Sequence, residues 1–137
     1  MSQAALDQQV SELVREIQTT ATSSDAVPPL AIVRNHIDPL PVAALVSDQT
    51  GRYVTANQRA GFLTGYSLAE LMRLSVWELT PGTDARDGET LWRAFLQQQR
   101  QGGEYRLLGV AGRLVSVRYA AHANVLPGLH LSLLEPV

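Results

Sequence analysis

The chain has 137 residues, the length of one domain, and 45% of them are hydrophobic, so it is long enough to bury a core. Its 11 basic residues, all arginine, are balanced by 13 acidic ones, and the net charge of −2 predicts no direct nucleic-acid partner. The absence of cysteine excludes disulfides, thiolate catalysis and cysteine-bound metal centres. No signal peptide is recognisable and no apolar run approaches the roughly 20 residues of a membrane span, so we expect a cytoplasmic protein without a membrane partner.

Residues 3–18 carry the pattern of an amphipathic helix. Leu6, Val10, Leu13 and Ile17 recur at alternating spacings of four and three residues. Two interpretations stay open: the helix lies on its own domain, or it pairs with a second chain. The pattern slightly favours pairing, because an isolated helix of this length needs a partner surface. These four residues are therefore the predicted interface of a homodimer with coiled-coil character.

A polar, proline-ended linker is predicted at residues 19–29, and Pro28 and Pro29 suit the first turn of a short helix over residues 30–37. This divides the chain into a helix and linker, residues 1–27, and a domain, residues 28–137.

A β-hairpin is predicted next. Residues 43–47 form a short apolar strand, residues 48–51 form a turn with Asp48 and Gly51 in the positions that turns favour, and residues 52–56 return as a second strand.

Two short capped helices follow the hairpin. Asn57 occupies an N-cap position before the helix 58–64, and Gly65 ends that helix. Ser67 and Glu70 have the spacing of a capping box, which Tyr66 and Leu71 flank as a hydrophobic staple.

A longer helix is predicted over residues 84–101, ended by Gly102 and Gly103. Strands follow at residues 104–109, 113–123 and 129–134, the last two joined by a turn at Pro127 and Gly128. Because every turn suits antiparallel pairing, the predicted class is α+β.

The order and spacing of these features resemble a PAS domain from about residue 39 to residue 135. The resemblance rests on Asp48, Gly51 and Asn57, on the segment from Gly65 to Leu71, on the helix around residues 91–95, on the strand start at residues 103–106, and on the last hairpin. It implies a five-stranded antiparallel sheet with short helices on one face, enclosing a small cleft. It also implies a sensory or interaction role, usually with an output domain.

The cofactors that such domains carry leave recognisable residues, and the sequence lacks them. The resemblance would require a cysteine for a flavin adduct of the LOV type and a histidine on the long helix for b-type haem. We therefore predict no cofactor and no metal, and leave an unidentified small organic ligand open.

The predicted cleft collects aromatic and apolar side chains that suit a small ligand, although a filled core is the simpler interpretation and the one we favour. The candidate lining residues are Leu71, Met72, Trp92, Phe95, Tyr105 and Tyr119.

Histidines and carboxylates give no catalytic or metal pattern. His122 and His130 fall on neighbouring predicted strands, and we expect both at the surface or an interface, on the sheet face away from the cleft; a metal-binding or pH-responsive pair is the alternative. Asp48 is explained by its turn, and no nucleophile, phosphate loop or carboxylate pair points to an enzyme.

The outer face of the sheet is predicted to carry Leu108, Leu114, Leu134 and Val54. Such a face needs a cover, and the N-terminal helix, from the same chain or a partner, is the natural one.

The sequence thus predicts a dimeric sensory module that regulates an output domain or a partner signalling protein, such as a transcription factor, kinase or cyclase, with a cleft in which a small apolar or aromatic ligand can bind. The alternative is a ligand-free domain for protein–protein interaction.

Overall fold

The computed structural model of the chain describes residues 2–137. Five helices and five strands form its framework, with two short 3-10 turns at Val76–Leu79 and Val110–Gly112. The helices are α1 (Gln3–Ser23), α2 (Pro29–Ile37), α3 (Gln58–Thr64), α4 (Leu68–Leu71) and α5 (Ala85–Gln98). The strands are β1 (Ala43–Ser47), β2 (Tyr53–Ala56), β3 (Arg100–Leu108), β4 (Leu114–Leu126) and β5 (Leu129–Pro136).

The five strands form one antiparallel sheet in the order β2-β1-β5-β4-β3. The predicted α+β class and five-stranded sheet are confirmed. The last strand, β5, is the central one, and it pairs with the first strand on one side and with the fourth on the other. Because consecutive elements join through tight turns, the sheet assembles mostly from local hairpins.

Helices α1 and α2 cover one face of this sheet, which we call the outer face. Leu6, Val10, Leu13 and Ile17 are at most 5% exposed and pack with sheet residues such as Val46 and Leu133. The stripe that the sequence assigned to a dimer interface is thus buried inside a single chain. The structure therefore agrees with the first of the two interpretations, in which the helix lies on its own domain.

The outer-face residues differ in part from those predicted. Val54 packs there, whereas Leu134 lies in the core of the opposite face and Leu114 remains 44% exposed. The prediction that Leu134 lies on the outer face was wrong. The face on which a side chain of β5 lies depends on the register of that strand with β1 and β4, which the sequence alone does not specify.

Helix α1 extends five residues beyond the predicted end. The hydroxyls of Thr20, Thr22 and Ser23 each donate to the carbonyl four residues earlier, and Ala21 packs on the outer core. Tertiary packing thereby keeps a polar segment helical, and the linker shortens to residues 24–28.

The inner face carries α3, α4, the turn Val76–Leu79 and α5. Asn57, an N-cap as predicted, is buried and ties this layer to the sheet: its Oδ1 accepts from the amides of Ala44 and Ala60, and its Nδ2 donates to the carbonyls of Ile37 and Val42, all at 2.9–3.1 Å. The predicted capping box of Ser67 and Glu70 is also present.

Helix α5 ends before the predicted glycine stop. Its C-cap is Gln99, with φ +70°, and β3 begins at once with Arg100. Gly102 instead lies inside β3 beneath α1, where a Cβ would come within 2.9 Å of Nε2 of Gln3 and 3.2 Å of the Tyr119 carbonyl oxygen. The glycine therefore allows α1 to approach the sheet.

No helix within residues 2–137 has both the length and the apolar character needed to span a membrane.

Candidate functional site

A cavity of about 340 Å³ lies between the inner face of the sheet and the segment formed by the turn Val76–Leu79 and α5. Its walls are rich in aromatic side chains, contributed by β2, β3, β4, the turn and α5. The aromatic lining residues are Tyr53, Trp77, Trp92, Phe95, Tyr105 and Tyr119. This cavity is the candidate site, because apolar concave sites with a few polar groups are the usual form of small-molecule sites.

Four of the predicted cleft residues, Trp92, Phe95, Tyr105 and Tyr119, line this cavity. Leu71 is instead fully buried in the neighbouring core, and Met72 is 40% exposed on the outside of α4. Both were wrong as lining residues, since α4 is a single helical turn whose inward side packs against the sheet rather than around the cavity.

Sequence reasoning missed Tyr53, Trp77 and His130, which also line the cavity. Tyr53 had a usable signal, because it alternates with Val54 on a strand whose other face packs outward. Trp77 lies on a 3-10 turn with no periodic pattern, so nothing in the sequence aims it at the cavity.

The prediction that His130 lies at the surface or an interface, on the sheet face away from the cleft, was wrong. The side chain is 2% exposed, projects from the inner face, and lies directly across from Ser47 in the β1–β5 register. His122 belongs to the other face, as its neighbours Ala121 and Ala123 pack with Trp92 and Phe95 inside. The two imidazoles are therefore not a pair.

A bulge in β4 fixes the state of the His130 ring. Asn124 has a left-handed φ of +52°, and its backbone N–H donates to Nδ1 of His130 at 2.9 Å. A ring nitrogen that accepts carries no proton, so the neutral ring is protonated on Nε2, which donates to Oε1 of Gln49 at 3.0 Å. Burial lowers the pKa of His130, while the Asp48 carboxylate acts in the opposite direction.

Gln49 connects the histidine to the tryptophan of α5. The indole N–H of Trp92 donates to the Gln49 backbone carbonyl at 3.0 Å. The turn that holds Gln49 is fixed by Asp48, whose Oδ1 accepts from the amides of Thr50 and Arg52 and from the Thr50 hydroxyl. Burial works to raise the pKa of Asp48, but these hydrogen bonds outweigh it and the pKa is lowered.

The rings around the cavity meet mostly at right angles. Tyr105 and Tyr119 are 5.3 Å apart with an interplanar angle of 89°, and Trp92 meets His130 at 5.3 Å and 83°. Trp92 and Phe95 are tilted by 46° at 5.3 Å. Edge-to-face contact is a favourable geometry for aromatic rings. In this cavity it makes neighbouring rings of the wall meet at corners, instead of facing each other as parallel planes.

The three tyrosines are held neutral. Burial raises the pKa of Tyr53, and the neighbouring Tyr105 and Glu78 raise it further. Burial also raises the pKa of Tyr105 and of Tyr119. At physiological pH the phenols are therefore neutral hydrogen-bonding groups on an aromatic wall.

Two glycines make room for Trp77. A Cβ on Gly88 of α5 would lie 2.2 Å from Cγ of Trp77, and one on Gly51 would lie 2.8 Å from its Cζ3. The Trp77 side chain thus lies close to the backbone at both glycines, which explains why a helix interior tolerates a glycine at residue 88.

Within residues 2–137 no cluster of three or more histidine, aspartate or glutamate side chains is arranged to hold a metal ion.

Comparison with known proteins agrees with this geometry. The sequence profile described as "PAS fold" matches residues 37–125. No curated protein matches the sequence.

Solved structures give the same result at the level of the fold. A domain of a sensory box sensor histidine kinase/response regulator from Geobacter sulfurreducens has a TM-score of 0.67 at 18% identity, over 77% of this chain and 92% of that one. The PAS domain of an HTR-like protein from Haloarcula marismortui has a TM-score of 0.65 at 24% identity, over 79% and 96%.

A third similar structure is the PAS domain, in complex with ethanol, of a LuxR-family transcriptional regulator from Burkholderia thailandensis. Its TM-score is 0.61 at 15% identity, over 76% of this chain and 96% of that one. Since the PAS profile covers well over half of the chain, and the sheet order and inner-face helices fit it, this protein belongs to the PAS fold family.

Proposed function

We propose that this chain is a sensory PAS module that binds a small apolar or aromatic molecule in the cavity between the sheet and α5, without catalysing a reaction. The observation that carries the proposal is the cavity of about 340 Å³ with six aromatic lining residues. A cavity of this size lies within the range that small ligands occupy. The ethanol-bound PAS domain from Burkholderia thailandensis supports the idea that this fold accommodates small molecules.

The polar side chain of Ser47 would orient the ligand at one end of the cavity. Ser47 lies across from His130 in the β1–β5 register, and His130 contributes a neutral ring there because Asn124 and Gln49 occupy both of its nitrogens. A ligand that contacts Trp92 or His130 touches two side chains that Gln49 joins. A ligand in the cavity would therefore affect the conformation of the β1–β2 turn as well as that of α5.

Signal output requires two arrangements of the domain that bind the ligand with different affinity. We place the output in a further domain or a partner signalling protein. A homodimer remains part of the proposal, in the form in which α1 leaves its own sheet and packs on the outer face of a second copy. That exchange would bury the same stripe, Leu6, Val10, Leu13 and Ile17.

Binding of a neutral aromatic probe tests the ligand proposal. We expect 2-phenylethanol to raise the melting temperature in a concentration-dependent way and to shift the amide resonances of cavity residues in NMR spectra. Ser132→Phe, which fills the cavity from β5, should abolish both effects. Met72→Phe, at an exposed position outside the cavity, should leave both unchanged.

The absence of binding by a folded wild-type chain would instead favour the protein-interaction alternative. In that case a closed core would serve assembly, and the aromatic rings would be structural.

A further inference from the structure

The cavity is lined by electron-rich rings and has no basic partner for an acid. Among residues 2–137 no arginine lines it. His130 borders it in the neutral form, because the Asn124 amide occupies Nδ1. A carboxylate or phosphate entering this site would lose its hydration without gaining a counter-charge, which is costly.

The charges near the wall include two carboxylates. Asp48 works to raise the pKa of His130 and Glu78 works to raise the pKa of Tyr53, while Arg52 lowers the pKa of Asp48 itself. Glu104 also borders the cavity, but its carboxylate is paired with Arg118 at 3.3 Å. The interior therefore favours a positive over a negative guest.

Ring geometry restricts the shape of that guest. A flat aromatic guest is best held between parallel rings, whereas the angles of 89° and 83° create corners. A compact, tetrahedral head group fits a corner and contacts more than one ring. The faces of Trp and Tyr rings attract cations, and this attraction strengthens where water is excluded.

Resting on the proposed ligand-binding function, we propose that the cavity recognises a small organic cation, a methylated ammonium held against the rings of Trp92, Tyr105 and Tyr119. A fully methylated, quaternary ammonium suits this site better than a bare one, since it has no N–H group to leave unpaired after transfer from water.

Three probes of nearly equal shape test the charge directly: choline, its neutral isostere 3,3-dimethyl-1-butanol, and the anion 3,3-dimethylbutanoate. Calorimetric titration of the full chain at pH 7.5 should give choline an affinity about tenfold or more above that of the alcohol. The anion should bind most weakly. Equal affinities for choline and the alcohol, or tighter binding of the anion, would overturn the inference.

A parallel titration with 2-phenylethanol separates this inference from the proposed function. If 2-phenylethanol binds and choline does not, the proposal of cation recognition is wrong, whereas the proposal that the cavity binds a small ligand is supported. If neither binds, both proposals fail.

A matched pair at Tyr119 identifies the recognising group. Tyr119→Phe keeps the ring and should retain choline binding within about threefold, whereas Tyr119→Leu should weaken it about tenfold. Both variants are checked for folding by circular dichroism and by thermal unfolding without ligand. An equal loss of choline binding in both variants would assign the contact to the hydroxyl and overturn recognition by the ring.

Discussion

Gln49 and His130, which are 81 positions apart in the sequence, are joined side chain to side chain by a hydrogen bond of 3.0 Å. The bond connects the β1–β2 turn to the central strand β5 at the edge of the cavity. Its direction follows from the Asn124 amide, which occupies the other ring nitrogen. Protonation of His130 would break the Asn124 bond, because a charged imidazole has no acceptor.

This arrangement makes folding stability depend on pH. Burial lowers the pKa of His130 in the folded chain below its usual value near 6.5. The unfolded chain then binds the proton more readily, so the contribution is fully present above pH 6.5 and is lost as the pH falls through the folded-state pKa. We expect the urea midpoint to decrease from pH 7.5 to 5.

The control for this pH dependence is His130→Gln, which cannot titrate and should show a flatter profile over the same range. His122→Gln, on the outer face, should keep the wild-type profile. An unchanged slope in His130→Gln would assign the pH dependence to other groups.

Substitution of Asn57 should lower the free energy of unfolding more than substitution of most other polar residues. Asn57→Ala removes four buried hydrogen bonds, at about 1 kcal/mol each, so we expect a loss of roughly 2–4 kcal/mol in the free energy of unfolding. Asp84→Ala removes an exposed N-cap whose side chain accepts from the Asp87 amide and should cost about 1 kcal/mol. Urea denaturation measures both, and equal losses would mean that the bonds to α2 and β1 add nothing.

Gly88→Ala should destabilise the domain even though alanine is the better helix former. The new Cβ would overlap Trp77, and overpacking costs about 1–3 kcal/mol, more than the gain of about 1 kcal/mol in helix propensity. In a Trp77→Leu background the same change should be neutral or stabilising. Thermal unfolding of the four chains in this double-mutant cycle provides the measurement, and additive effects would refute the contact.

Deletion of α1 should expose the outer face. Its five buried apolar residues, Leu6, Val10, Leu13, Val14 and Ile17, contribute roughly 1.5–3 kcal/mol each. That sum is comparable to the total stability of about 5–15 kcal/mol typical of a domain. A chain starting at Pro28 should therefore unfold, aggregate or associate through its sheet.

Analytical ultracentrifugation of the full and shortened chains checks this prediction and the proposed homodimer together. A shortened chain that stays monomeric with an unchanged melting temperature would contradict the packing of α1. If the full chain is monomeric at every concentration, exchange of α1 between two copies is excluded.

Local chemistry allowed much of the fold to be predicted from the sequence. Asn57, Gly65, the box of Ser67 and Glu70, and the turns at Asp48 and Gly128 each satisfy a backbone requirement within a few residues. Tyr105 and Tyr119 were predicted as cavity residues because they are aromatic, and the alternation of their strands places both on the inner face.

Tertiary structure decided what local pattern cannot encode. His130, Leu134 and Leu71 were misplaced because strand register and the position of α4 set which layer a side chain enters. The stripe of α1 specified that an apolar face must be covered, but not whether its own sheet or a second chain would do so. That choice depends on the proximity of the chain's own sheet, which the short linker at residues 24–28 provides.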